Sequence, residues 1–300
     1  MFCMKSKWKK LFTVVLFLIM ALSVQSVSAQ AASVKKVCRN VSGNRTFYQD
    51  LTGDGKKDQV TLKLYKDSYD NFIEKANVYV NGKKALTVSG INGYNATVQY
   101  IYQAKSREFL QIYFTSDNDY VVKNGLYQYN KKTGKLVKVL NLSEVKGRSG
   151  DITSAASKSV KAVFSCQPAE TGWIHWTYDY VWKNGKFVLK SNTATVKSSL
   201  VSYDPGDGYT KYFKKNQFVA ANKRNFYTST SLSKIAFTAN KGDVLTLKKI
   251  KISGNRVFLQ FKKGSKTGWQ KVCRSDVYDY TSSDPGKTGW FCGVYRRLAG

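Results

Sequence analysis

An all-β fold is what this sequence predicts, and three features predict it. Twenty Tyr and sixteen Phe stand against three Pro in 300 residues, and aromatic side chains fit the pleated, half-buried surface of a sheet. Apolar residues alternate with polar ones over short runs, as at Val60, Leu62 and Leu64 and again at Val78 and Val80. That is the period-two signature of a strand with one buried face. Asn-Gly pairs close such runs at Asn81-Gly82 and Asn184-Gly185, with a looser version at Thr133-Gly134 in YQYNKKTGKLVKV. Both central positions of a type I′ hairpin need positive φ, which Asn and Gly tolerate. The length implies about two domains, so the expected order is a β-meander, sandwich or partial propeller followed by a small barrel.

The first 29 residues read as an export leader. Lys5, Lys7, Lys9 and Lys10 precede an apolar stretch from Leu11 to Leu22, and Val27-Ser28-Ala29 is a small-residue cleavage site. The apolar stretch is shorter than the roughly 20 residues that span a bilayer. A secreted or extracellular chain is expected, released or held non-covalently at the cell wall. Residues 30–45 lack periodicity and read as a lead-in. Residues 46–198 form the expected first β domain. Residues 199–221, which contain the punctuating Asp204-Pro205-Gly206-Asp207-Gly208, form the expected linker. Residues 222–300 carry short strands and glycine-rich turns at Lys241-Gly242-Asp243, Gly254-Asn255, Gly264 and Gly268, which suit a small barrel.

The sharpest local signal is Asp50-Leu51-Thr52-Gly53-Asp54-Gly55-Lys56-Lys57-Asp58. Oxygens from Asp50, Thr52, Asp54 and Asp58, with the backbone carbonyl of Lys56, fall at alternate positions, and Gly55 permits a sharp turn around one hard cation. Calcium is the cofactor this spacing implies. The twelfth position is Thr61 rather than Glu, so a weak site of about 10⁻⁴ to 10⁻³ M is expected, with a structural role. The loop followed by a strand resembles the calcium loops of FG-GAP and VCBS-type β repeats, with Thr52 where those have Asn or Asp.

The C-terminal segment resembles bacterial SH3-like domains in Phe237–Leu247 and in the KTGW run at 266–269. The resemblance implies a barrel packed by a Gly-Trp strand, and a groove lined by aromatic residues that takes cell-wall peptide or glycan. Tyr227, Trp269 and Trp290 are the candidate ligand-binding residues. A second TGW at 288–290 departs from the family's pattern, so which Trp fills the core is open. The order of leader, DxTGDGxxD domain, YxYNxxTGKL hairpin and terminal SH3-like unit resembles a family of secreted proteins from gut clostridia. That likeness implies an extracellular or envelope location and implies no activity.

The formal net charge is +30, and the leader takes away four lysines and no acid. A field of one sign raises the local concentration of anions. Outside a cell these are teichoic acids, other anionic glycans, lipid headgroups or nucleic acid. The Lys residues are scattered along alternating strands rather than grouped with aromatics on one groove, so specific nucleic-acid binding is not expected. Four cysteines follow the leader, and an even number in an exported chain implies disulfides. The spacing favours Cys38 with Cys166 and Cys273 with Cys292.

Catalytic arrangements are poorly supplied. His175, the only histidine, lies between Trp173 and Trp176 on an expected strand, there is no GxSxG nucleophile, and a pairing with Cys292 would cross domains. Asp117, Asp119, Asp179, Asp204 and Asp207 offer carboxylates for glycoside cleavage, but all except Asp179 equally suit turns. Trp176, Tyr178, Tyr180 and Trp182 share one strand face and are expected in the core. The function expected from these features is adhesion to cell-wall peptide, anionic glycan or teichoic acid. The alternative is a wall hydrolase with acidic catalytic residues in the first domain.

Overall fold

The computed structural model describes residues 31–116, 121–144, 148–166, 168, 170–200, 208–254, 256–272 and 289–294. The leader, Cys273, Asp117, Asp119, Asp204 and Asp207 lie outside these residues. Strands β1 (Ser33–Val41), β2 (Arg45–Gln49), β3 (Asp58–Lys66), β4 (Ile73–Val80) and β5 (Lys83–Gly93) come first, followed by β6 (Asn95–Ala104), β7 (Arg107–Thr115), β8 (Val121–Asn130) and β9 (Lys135–Asn141). β2 to β5 make a four-stranded antiparallel meander, and β6 to β9 make another that β1 joins at the β6 edge. β1 lies inside the segment that the sequence marks only as a lead-in. Its pairing with β6 slips between Lys36 and Cys38 and again between Cys38 and Val41, and two such bulges erase the alternation by which a strand is recognised.

The chain continues through β10 (Arg148–Ala156), β11 (Ser159–Cys166), β12 (Trp173–Lys183), β13 (Lys186–Leu189) and β14 (Thr193–Leu200). After one helical turn at Thr210–Phe213 come β15 (Gln217–Val219), β16 (Arg224–Tyr227), β17 (Ile235–Ala239), β18 (Val244–Ser253), β19 (Arg256–Lys263) and β20 (Lys266–Val272). These form an eleven-stranded antiparallel sheet. The all-β expectation holds, but no closed barrel is present among the described residues. The ten-residue β18 explains the difference. Val244–Thr246 pair with β15, whereas Lys249–Lys251 pair with Thr193–Thr195 of β14. The strand edge that closure of a separate barrel would use instead joins the C-terminal strands to the preceding sheet.

The two Asn-Gly turns adopt the predicted left-handed backbone, with φ of 49° and 78° at Asn81-Gly82 and 52° and 77° at Asn184-Gly185. At the third hairpin, the Asn130 side chain accepts the Lys132 and Thr133 amides, and Gly134 donates back to the Asn130 carbonyl.

Two hydrophobic clusters lie on opposite faces of the five-stranded sheet. Val98, Tyr100, Leu110 and Ile112 face the cluster shared with β2 to β5. Ile101, Phe109 and Leu126 face the other, which runs through Phe164 and Trp176 to Phe218, Phe226 and Phe261. The second face also carries buried amides. Gln99 donates to Gln111 Oε1 at 3.0 Å, and Gln111 donates to Asn124 Oδ1 at 2.9 Å. The ladder reaches β10, because the Gly150 carbonyl accepts from both Gln111 and Asn124, and the Ile152 amide donates to Gln111 Oε1 at 2.9 Å. β10 is the edge strand of its own sheet and bulges between Ser149 and Ile152, which turns those backbone groups toward the ladder.

Gln111 is fully buried, and a buried donor or acceptor stripped of its partner costs about 1–3 kcal/mol. Gln111→Leu removes the partner of the Ile152 amide and of Gln99. We predict a loss of about 2–3 kcal/mol in urea unfolding, against less than about 0.5 kcal/mol for an exposed control such as Gln59→Leu.

Candidate functional site

The Asp50–Asp58 loop is held by its own carboxylates. Asp50 accepts the Gly53 amide at 2.6 Å and the Gly55 amide at 2.8 Å, one on each oxygen. Asp58 is buried; one of its oxygens accepts the Leu51 and Thr52 amides at 2.8 and 2.9 Å, and the other accepts Asn81 Nδ2 at 2.7 Å. Asp54 is exposed and accepts the Lys56 amide. The carboxylates are therefore directed at N–H groups, with Asp58 beneath the loop and Asp54 at its outer side. Among the described residues, no three acidic, His or Cys side chains converge as a metal would require. Of the set predicted to hold calcium, Asp50, Asp54 and Asp58 accept N–H groups in this geometry, and Thr52 and Lys56 donate their amides to Asp58 and Asp54. These Asp and Gly residues build a hydrogen-bonded clasp, in which Gly53 and Gly55 take φ of 65° and 90°.

The clasp covers a buried acid that sequence inspection does not single out. Glu108, on β7, is 4% exposed, and its Oε1 accepts the Ser106 amide at 3.0 Å. A Cβ on Gly53 would lie 3.1 Å from the Ser106 backbone and 3.2 Å from Glu108 Oε2, so only glycine lets the loop sit this close. Burial, reinforced by the Asp50 charge, pushes the Glu108 carboxyl up to about 7. The Tyr100 hydroxyl donates to the Asp50 carbonyl at 3.0 Å and completes the contact.

The C-terminal aromatic candidates divide. Tyr227 and Trp269 are opposite one another across the β16–β20 pair, and both are half-buried. Trp290 lies elsewhere in this region, with the Arg224 guanidinium 4.0 Å above its ring and its carbonyl accepting the Ala221 amide. Gly268 of the KTGW run is a packing glycine, because a Cβ there would approach Phe226 Cβ to 2.6 Å. Phe226 and Phe237 stack at 4.8 Å beneath it.

The Trp176–Tyr178–Tyr180 stripe packs in the core against Phe164, with Trp182 partly buried beside Phe109 and Phe187. The expected Cys38–Cys166 bond is absent. Cys38 faces one hydrophobic cluster and Cys166 the other, so the five-stranded sheet separates them, and burial pushes the Cys38 thiol up. Cys292 forms no disulfide among the described residues, and its expected partner Cys273 lies outside them. His175 is half-buried on the face opposite Trp176, and burial lowers its pKa. Of the acids suggested for hydrolysis, Asp179 forms an ion pair with Lys161 at the surface, and the other four are outside the described residues.

The outward face of the four-stranded sheet was also missed. Its signal lies in the polar positions of the alternating strand, Thr61, Lys63 and Tyr65, which have the composition of any solvated strand face. In register across the strands are Thr46, Thr61, Tyr79 and Lys84; then Lys63, Asn77 and Thr87; then Tyr65, Lys75 and Ser89. No protein-family model, curated protein or solved structure matches the chain.

Glu108 gives the clasp a pH signature. Its native pKa of about 7 stands above the ordinary value of 4.5, so the native state holds a proton that the unfolded chain has released. Its contribution is complete below the ordinary value and lost as pH rises through about 7. His175, lowered by burial, acts in the opposite direction, losing stability as pH falls. We predict that from pH 5 to pH 8 the urea midpoint of the wild type falls relative to that of Glu108→Gln. Parallel curves would contradict a buried, protonated Glu108.

Proposed function

We propose that the chain is a secreted, envelope-associated binding protein that adheres to anionic cell-wall polymer through its basic β scaffold. The observation that carries this reading is where the acids are. Asp50, Asp58 and Asp67 accept backbone amides and close loops, and Glu108 is buried. Asp151, Asp179 and Asp243 each hold one lysine in an ion pair. Among the described residues the carboxylates are thus largely committed to structure. Among the described residues, Lys36, Lys161 and Lys263 are the lysines held by these acids, and exposed lysines such as Lys63, Lys75 and Lys84 keep their charge available to an external anion. The Lys-rich, apolar, AxA-like leader supports export, and the adjacent half-exposed Tyr227 and Trp269 supply a second, stacking contact for wall peptide or glycan.

Adhesion of this kind depends on displaced counterions and therefore on salt. The mature protein is expected to co-sediment with purified cell wall at physiological salt and to be released progressively as salt is raised. Absence from the pellet at physiological salt overturns the proposal. Clearing of the wall suspension by the protein would replace adhesion with hydrolysis.

A further inference from the structure

Resting on the adhesion reading, we infer that the outward face of the β2–β5 sheet is the docking surface for a linear phosphodiester-linked polyol, the chemistry of a teichoic acid. Three lysines, Lys63, Lys75 and Lys84, project from this face, and all are exposed. None of them belongs to an ion pair among the described residues. The four strands contain two acids, Asp58, which is buried in the clasp, and Glu74, which sits at the bulge between Ile73 and Lys75. The outward register positions therefore present ammonium groups with no carboxylate among them.

Two of the three are restrained. Lys63 Nζ lies 5.1 Å from the centroid of the Tyr79 ring, and Lys75 Nζ lies 4.6 Å from that of Tyr65, so each cation is held over an aromatic face. Asn77 sits between them, donating to the Tyr65 hydroxyl at 3.2 Å and accepting from Thr87 at 2.8 Å. Thr46 and Thr61 share a hydrogen bond of 3.0 Å on the same face. At the β5 edge Lys135 Nζ donates to the Lys84 carbonyl at 2.9 Å, which adds a fourth cation at the rim. The result is a face of exposed ammonium groups, two of them held over rings, interleaved with hydroxyls and underlain by the buried Asn77 amide. Such a surface pairs with phosphates spaced along an extended chain and hydrogen-bonds the polyol hydroxyls between them.

The same geometry disfavours nucleic acid. Single-strand binding relies on aromatic faces free to stack on bases, and Lys63 and Lys75 lie over the rings of Tyr79 and Tyr65.

The test uses the mature full-length chain, with poly(glycerol phosphate) and a single-stranded DNA of equal phosphate number as probes. Lys63→Glu, Lys75→Glu and Lys84→Glu together are compared with Lys223→Glu, Lys248→Glu and Lys266→Glu. The second set consists of exposed lysines outside this sheet and gives the same change in net charge. Thermal melts establish that both variants fold, and Lys→Arg at the three face positions should keep binding. The face reversal is expected to weaken poly(glycerol phosphate) binding by about tenfold or more and to reduce the log-log salt slope by about three, one unit per lost phosphate contact. The control reversal should change affinity by less than about threefold, through the general field alone. Equal losses in the two variants would show that the charge acts diffusely and would overturn the docking face while leaving adhesion intact. DNA held more tightly than the polyol phosphate through the same three lysines would overturn the ligand class. A wild-type protein that binds neither probe nor wall would remove the adhesion reading as well.

Discussion

The buried amide ladder of Gln99, Gln111 and Asn124 is the interaction on which the architecture depends. Two sheets that meet through apolar side chains alone can slide, because hydrophobic contact is non-directional. Here the five-stranded sheet reaches into the backbone of β10, and Gln111 both donates to the Gly150 carbonyl and accepts from the Ile152 amide. A bulged edge strand would otherwise bury unsatisfied backbone groups. The ladder satisfies them and fixes the register between the sheets. The Lys36–Asp151 ion pair and the Gln103 bond to the Ser159 carbonyl reinforce the same junction. Because β14 pairs with β18, whatever β10 to β14 are fixed to also constrains the C-terminal strands.

The distribution of charge follows from the same economy of polar groups. Acids are few, and among the described residues most are spent on local structure: the Asp50–Asp58 clasp closes one loop, and Asp67 accepts the Tyr69, Asp70 and Phe72 amides in another. Hydrogen bonds to an ionised acceptor are about twice as strong as neutral ones, so a few carboxylates suffice to hold the loops. Lysines occupy the outward strand positions, where their stems cover the sheet and their heads stay in water. Apart from Asp151, Asp179 and Asp243, which each pair with a lysine, the described acids that close loops leave the outward lysines unneutralised.

Much of this was legible in the residue pattern. Strand alternation, the two Asn-Gly turns and the core position of Trp176 each follow from one local rule. What escaped depended on contacts remote in sequence. β1 is concealed by two bulges in its pairing with β6. The clasp has the composition of a cation loop, and only the placement of Asn81 and of the Leu51 and Thr52 amides shows how Asp58 is satisfied. Spacing suggested a Cys38–Cys166 bond, but spacing carries no information about which face of a sheet each thiol occupies. Glu108 and the amide ladder lie on strands whose polar residues look like solvent-facing positions until a second sheet is seen to cover them. The C-terminal turns and the Gly-Trp run are compatible with a small barrel, yet the length of β18 leads its far end into pairing with β14.

Native-state hydrogen exchange at the Ile152 amide tests the role of the ladder most directly. That proton sits on an edge strand and is held by a side chain from another sheet. If the ladder fixes the two sheets together, it exchanges only with global unfolding, with the same free energy as amides at the centre of β12. Exchange as fast as that of an ordinary frayed edge would show that the junction opens independently and that the ladder does not hold the structure together.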